Sequence, residues 1–191
     1  MAVMAMVVVL AWFGAPGALS AQANTTPPEA VLRSWYHMVL ELARHTPTYS
    51  PPVASRSFAY LGVTAFEARA TGQSELQSLA GQLNGLQTVP QRVAGEAYDE
   101  AAVVHAAMAF ATRKLFNNTG PTGKRAMAAL EKKLRGEVSA GLPVDVFTRS
   151  EDHGRAVAAH ILAWSRDDGG AVIENMGFPL DYTLAKGAAH W

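Results

Sequence analysis

The chain has 191 residues with 16 basic and 16 acidic side chains, six histidines and no cysteine. This length corresponds to one domain or slightly more. A formal net charge of zero excludes a general nucleic-acid binder, which needs a basic surface. The lack of cysteine excludes disulfides, zinc–thiolate sites and thiol nucleophiles.

The N-terminal segment from Met1 to Phe13 is apolar without a break. It is shorter than the roughly 20 residues that a membrane-spanning helix requires, and Ala21-Gln22-Ala23 matches the small-residue pattern of a signal-peptide cleavage site. We therefore predict a signal peptide over residues 1–23 and a secreted or periplasmic mature chain that begins at Asn24. Because no Lys or Arg precedes the apolar run, an uncleaved membrane anchor remains the alternative.

Hydrophobic periodicity predicts helices and no strand in the mature chain. The first helix begins at Thr26-Pro27-Pro28 and ends before Pro47, and it is amphipathic. The second helix starts at Ser50-Pro51-Pro52 and ends before Gly72, and a short third helix is predicted from Ser74 to Leu83.

The fourth predicted helix, from about residue 98 to 116, is apolar on all sides and carries no charge between Ala101 and Thr112. A helix without a polar face is buried, so we expect it at the centre of the fold. A charged fifth helix follows over about 122–140, and a sixth begins with Ser150 as its N-cap. The predicted fold is an all-α bundle of five to six helices within residues 24–168, with an irregular connector over 169–191.

The trio His37, Glu41 and His45 is the most suggestive metal-ligand spacing in the sequence. Side chains four residues apart meet on a helix, and imidazole and carboxylate groups bind zinc. All three, however, lie on the polar face opposite Trp35, beside arginines. We therefore expect a solvated surface and assign no metal ligand, with zinc or iron binding there as the weaker alternative.

The remaining candidates for chemistry form no recognisable catalytic set. His153 and His160 are seven positions apart, about 10 Å along a helix, which is too far for shared zinc ligation. His105 lies on the central helix and is expected to be a hydrogen-bonded core residue. We assign no catalytic or cofactor-binding residue, because no Gly-x-Ser-x-Gly or phosphate-binding glycine motif is present. Six further carboxylates are not paired by the sequence pattern: Glu67, Asp99, Glu100, Asp152, Asp167 and Asp168.

Basic residues cluster on the fifth predicted helix, where Glu131 and Glu137 are interspersed among them. A solvated helix face explains this pattern. Side chains on one outward face do not converge on an oxyanion. The cluster comprises Lys124, Arg125, Lys132, Lys133 and Arg135.

Three segments resemble a known family in their order and approximate spacing. The first runs from Ser50-Pro51-Pro52 to Ala68 after the Trp35 helix, the second from Tyr98 to Phe116, and the third from Gly154 to Gly170. Together they are similar to the N-terminal helical half of bacterial vanadium-dependent haloperoxidase-like proteins. These proteins belong to the type 2 phosphatidic acid phosphatase superfamily.

The resemblance implies where the chemistry of such a protein would lie. In the family, a Lys and two Arg bind vanadate or phosphate in the C-terminal half, where a Pro-Ser-Gly-His segment and a later Ser-Arg...His segment supply the histidines. This sequence contains no Pro-Ser-Gly-His and no Arg-Pro. The resemblance therefore implies no cofactor in this chain, and vanadate only in a full-length relative.

Two functional hypotheses remain open. In the first, the chain is the N-terminal helical portion of a secreted haloperoxidase-like or acid-phosphatase-like enzyme, inactive in this form. Its partner would be its own missing C-terminal half or further copies of the chain. In the second, it is a free-standing exported helical domain that binds a partner or small ligand without catalysis. Contact with a membrane is expected only if the N-terminal segment stays uncleaved.

Overall fold

A computed structural model describes residues 26–168, 170, 186 and 187. The helices α1 to α5 lie in this part of the chain and no strand accompanies them, so the predicted all-α class is confirmed. The predicted signal peptide at 1–23 and most of the connector at 169–191 lie outside the described residues. Within the described part, no helix combines the length and apolar character needed to cross a membrane. The elements are α1 Pro28–His45, α2 Pro51–Ala70, α3 Glu100–Leu115, α4 Pro121–Ser139, α5 Val144–Trp164 and a 3-10 turn at Ser165–Asp168.

Helix α3 is the central helix, as its uniformly apolar sequence predicts. It packs against α1, α2, α4 and α5, and the residues from Ala101 to Ala109 are all buried. The contact with α5 is the most extensive. It is close because Gly154 of α5 faces the backbone of α3, where a Cβ at position 154 would lie 2.3 Å from the Val103 carbonyl oxygen. The helix begins at Asp99, whose carboxylate accepts a 2.8 Å hydrogen bond from the Ala102 amide.

Helix α1 follows the predicted amphipathic pattern. Its buried residues are Val31, Trp35, Val39 and Leu42, a spacing of three or four that places them on one face. Proline stands in the first turn of α1, α2 and α4, where the missing N–H costs nothing and the fixed φ favours the helix. The residues at which these three helices begin are therefore determined by the local sequence.

The predicted third helix, from Ser74 to Leu83, is wrong: this region consists of turns. Glu67 of α2 is fully buried beneath it and accepts hydrogen bonds from the Leu79 amide at 2.6 Å and from the Ser78 hydroxyl at 2.9 Å. This long-range contact holds the segment in a non-helical path. Gly81 reinforces that path with a φ of 77°, a left-handed conformation that glycine adopts without strain.

The predicted start of the last helix at Ser150 is also wrong, because α5 begins six residues earlier at Val144. Pro143 precedes the helix and Asp145 lies in its first turn, where a negative charge is favourable. Ser150 is instead buried inside the helix. Its hydroxyl donates to the Val146 carbonyl at 2.7 Å and accepts from the Asp99 amide at 2.9 Å. It thereby ties α5 to the start of α3.

Candidate functional site

The trio His37, Glu41 and His45 lies on the exposed face of α1. Glu41 contacts His45 at 3.1 Å and Arg44 at 3.6 Å, so its carboxylate is shared between neighbours on its own helix. Among the described residues, no group of three or more His, Asp or Glu side chains is arranged to hold a metal ion. The geometry of α1 accordingly supports an ion-paired surface.

His105 is a core residue of α3, as predicted. It is 1% exposed, and its Nδ1 accepts a 3.4 Å hydrogen bond from Trp35 Nε1 of α1. Burial lowers the pKa of His105 to about 4, because the interior disfavours the charged imidazolium. The residue is therefore neutral at physiological pH, and its role is to pair the Trp35 indole N–H within the core.

His153 makes the most contacts with other elements of the histidines described, whereas the sequence pattern raises it only as a candidate zinc ligand together with His160. It lies on the inner side of α5, and its Nε2 is 2.8 Å from the hydroxyl of Thr71 at the C-terminal end of α2. The Tyr98 ring packs edge-on against it, with the ring centroids 5.5 Å apart. The pair joins positions 82 residues apart in sequence, and no local pattern indicates such a contact.

The electrostatics of His153 favour its neutral form. Burial is the first cause that lowers its pKa to about 4, and the nearby Arg92 guanidinium lowers it further. Arg92 itself is paired with Glu100 at 2.5 Å. The Thr71 hydroxyl donates to the Ala68 carbonyl at 3.3 Å and shares a second hydrogen bond with the neutral imidazole, whose direction follows the imidazole tautomer. No carboxylate of the described chain is seen to orient His153 as in a catalytic triad.

Two open depressions meet beside His153. One, of about 890 Å³, is lined mainly by apolar groups together with Tyr98, Asp145, Arg149 and Asp152. The other, of about 510 Å³, runs past Thr71 and Arg92 and has hydroxyl and amide groups along its wall. Both are open grooves of the size range that ligand sites occupy. Their arginines are already paired with carboxylates, so neither groove presents a free cation among its described residues.

The carboxylates that the sequence left unpaired are mostly held by partners in the fold. Asp99 caps α3 and Glu67 organises the turns beside α2. The carboxylate of Asp168 accepts two hydrogen bonds from the Arg56 guanidinium, at 2.7 and 3.2 Å, and a third from the Tyr60 hydroxyl at 2.8 Å. Burial raises the pKa of Asp168, but the contacts with Arg56 and Tyr60 outweigh it and hold the pKa below its usual value. These carboxylates are structural anchors.

The basic cluster on α4 does not form one solvated face, because Arg135 reaches across to α5. Its guanidinium donates two hydrogen bonds of 2.9 Å to the carboxylate of Glu151, whose side chain is only 7% exposed. Such a bidentate pair is stronger than a simple surface contact. Lys133 lies 3.9 Å from Glu137 on the same helix. The cluster does not converge on a common point.

Comparison with known proteins places the fold. No family model matches the chain, and no curated protein matches it. Among solved structures, the chain is similar to the crystal structure of a bacterial vanadium-dependent iodoperoxidase, at 33% sequence identity and a TM-score of 0.62. The match covers 72% of this chain but 31% of that chain, so the chain spans about a third of the length of the protein that it matches.

The solved structure belongs to the same kind of protein that the three sequence segments resemble. The described helices are therefore a portion of the vanadium-dependent haloperoxidase fold, and the resemblance predicted from the sequence is confirmed.

Proposed function

We propose that this chain is the N-terminal helical portion of a secreted vanadium-dependent haloperoxidase-like or acid-phosphatase-like enzyme, and that it is inactive in this form. The observation that carries the proposal is the match of 72% of the chain to 31% of a bacterial vanadium-dependent iodoperoxidase. A helical segment that accounts for a third of such a fold supplies scaffold, and the oxyanion-binding residues come from the remainder.

The described residues do not fit a vanadate site. Stabilising a bound oxyanion requires several cations and hydrogen-bond donors aimed at one point. The arginines that link the helices are already paired: Arg56 with Asp168, Arg92 with Glu100, and Arg135 with Glu151. The two buried histidines are neutral and face Trp35 and Thr71. We therefore derive no chemical step through vanadate from this part of the chain.

The proposal is tested by assaying the purified 191-residue chain for vanadate binding, by ⁵¹V NMR. Peroxide-dependent oxidation of iodide and hydrolysis of p-nitrophenyl phosphate are measured in parallel. We expect no binding and no turnover. Saturable turnover by this chain would refute its proposed inactivity. The assignment as part of a longer enzyme is tested separately, because the coding frame after residue 191 should then encode a Pro-Ser-Gly-His segment.

A free-standing binding domain is the second candidate, and one observation favours it: the five helices share one continuous hydrophobic core. Trp35, Leu61, Met108 and Ile161 are all completely buried. This function predicts a monodisperse chain with one cooperative thermal transition and a coding frame without the catalytic segment. An aggregating or molten chain would count against it.

A further inference from the structure

Within the described residues, the helices that surround α3 leave one apolar side chain of its central stretch partly exposed. Every residue of α3 from Ala101 to Thr112 is buried except Phe110, whose ring is half-buried. Phe110 borders a pocket of about 370 Å³ between the C-terminal parts of α3 and α5. Three further apolar side chains line this pocket: Leu115, Ala159 and Leu162. Part of the pocket's lining is therefore aromatic and aliphatic.

The rim of the same pocket is cationic. Arg56, Lys114 and Arg166 line it, and Asn117 adds an amide group. Arg56 is neutralised by Asp168. Lys114 and Arg166 are exposed, and within the described chain neither forms an ion pair. Lys114 also lies in the last turn of α3, where a positive charge stabilises the helix. Among the described residues, the lining of the pocket therefore includes two positive charges outside any ion pair, together with apolar side chains.

The groove near His153 differs in charge. It is larger, at about 890 Å³, but Asp145 and Asp152 line it and its Arg149 is paired with Asp145 and Glu96. An anion is therefore disfavoured there and favoured at the Phe110 pocket. The volume of the Phe110 pocket lies at the lower end of the range for small-molecule sites, which suits a ligand of one or two rings.

We propose that the Phe110 pocket binds a small aromatic anion, a carboxylate or sulfonate of one or two rings. The rings lie against Phe110 and Leu162, and the anionic group is held by Lys114 and Arg166. This site is separate from the oxyanion chemistry of the proposed enzyme, because no described histidine lines the pocket. The inference does not depend on the proposed function.

The test uses 1-anilinonaphthalene-8-sulfonate as the anionic probe and N-phenyl-1-naphthylamine as its uncharged analogue, each titrated into the 191-residue chain by fluorescence. We expect the anionic probe to saturate at one site per chain. In the double variant Lys114→Gln with Arg166→Gln, its Kd should rise about tenfold, because two partly exposed charge contacts are lost. Lys132→Gln on α4 is the matched control and should leave the Kd unchanged.

Further measurements separate a ligand site from a structural role. The thermal transition of each variant reports any loss of helix stability, which does not by itself alter the Kd of a folded chain. Ala159→Trp should fill the pocket and abolish saturable binding. Inorganic phosphate should displace the probe poorly because it lacks the rings. An unchanged Kd in the double variant, equal affinity for the uncharged analogue, or efficient displacement by phosphate would each overturn the assignment.

Discussion

The close approach of α3 and α5 at Gly154 gives the sharpest test of the fold. A Cβ at this position would lie 2.3 Å from the Val103 carbonyl oxygen and 3.0 Å from the Ala106 Cβ. Because the carbonyl belongs to a helix backbone, it cannot rotate away as a side chain would. Gly154→Ala therefore has to separate the two helices. Overpacking of a core typically costs about 1–3 kcal/mol, and a contact this short with a backbone atom belongs in the upper part of that range, at about 2–3 kcal/mol. Replacing glycine by alanine inside a helix gains roughly 1 kcal/mol, so the net loss is about 1–2 kcal/mol.

Gly136 of α4 is the matched control, since it is also helical but a Cβ there would have nothing within 4 Å. We expect Gly136→Ala to raise the Tm by about 2–4 °C and Gly154→Ala to lower it by about 2–8 °C, given a shift of roughly 2–4 °C per kcal/mol for a chain of this size. Thermal unfolding followed by circular dichroism at 222 nm measures both. Ala106→Gly in the Gly154→Ala background should not restore the Tm, because the carbonyl clash remains. A Gly154→Ala chain that melts at or above the parent temperature would refute the close packing.

Three further predictions concern the carboxylates of Glu67 and Asp168 and the imidazole of His153. Glu67→Gln should cost about 1–3 kcal/mol, because the amide loses the negative charge and keeps only one of the two oxygens that accept from Leu79 and Ser78. It should also speed hydrogen exchange in the turns beside α2, whereas exposed Glu75→Gln should do neither. His153 has a folded pKa of about 4 against 6.5 unfolded, so the unfolded chain binds the proton first. Stability should be unaffected above pH 6.5 and fall between pH 6.5 and 4, on the order of 3 kcal/mol, and His153→Gln should remove this part of the pH dependence measured by chemical denaturation. Asp168→Asn should lower the Tm by a few degrees through loss of the Arg56 pair, which corresponds to roughly 1 kcal/mol, whereas Asp167→Asn should leave it unchanged.

Helices whose burial or starting residue depends on the nearby sequence were predicted correctly. The apolar stretch from Ala101 to Thr112 identified the central helix because no other placement satisfies a helix without a polar face. Prolines before α1 and α2, and the turn before α4, set their starting points within one or two residues. The burial of Trp35 follows from the same reasoning, because periodicity of 3.6 residues assigns it to the inner face of α1.

Contacts between residues far apart in the sequence account for the elements and contacts that were predicted wrongly or missed. A helix was predicted from residue 74 to 83, but the buried carboxylate of Glu67 and the left-handed conformation of Gly81 hold this segment in turns. Ser150 has the chemistry of an N-cap, but its hydroxyl is used across the interface with Asp99. The same limit hides the pairing of His153 with Thr71, because two residues 82 positions apart leave no periodic or spacing signal in a single sequence.

The use of arginine in this fold bears directly on its function. Glu151, on α5, receives Arg135 from α4 and Arg155 from its own helix, and Glu100 receives Arg69 and Arg92. Removing the arginine from such a pair leaves a largely buried carboxylate without a counter-charge. These guanidinium groups therefore serve to stabilise the packing of the helices. A cation that stabilises the scaffold cannot also hold an oxyanion without breaking that link. In the enzyme that we propose, the oxyanion-binding cations therefore come from outside this paired set.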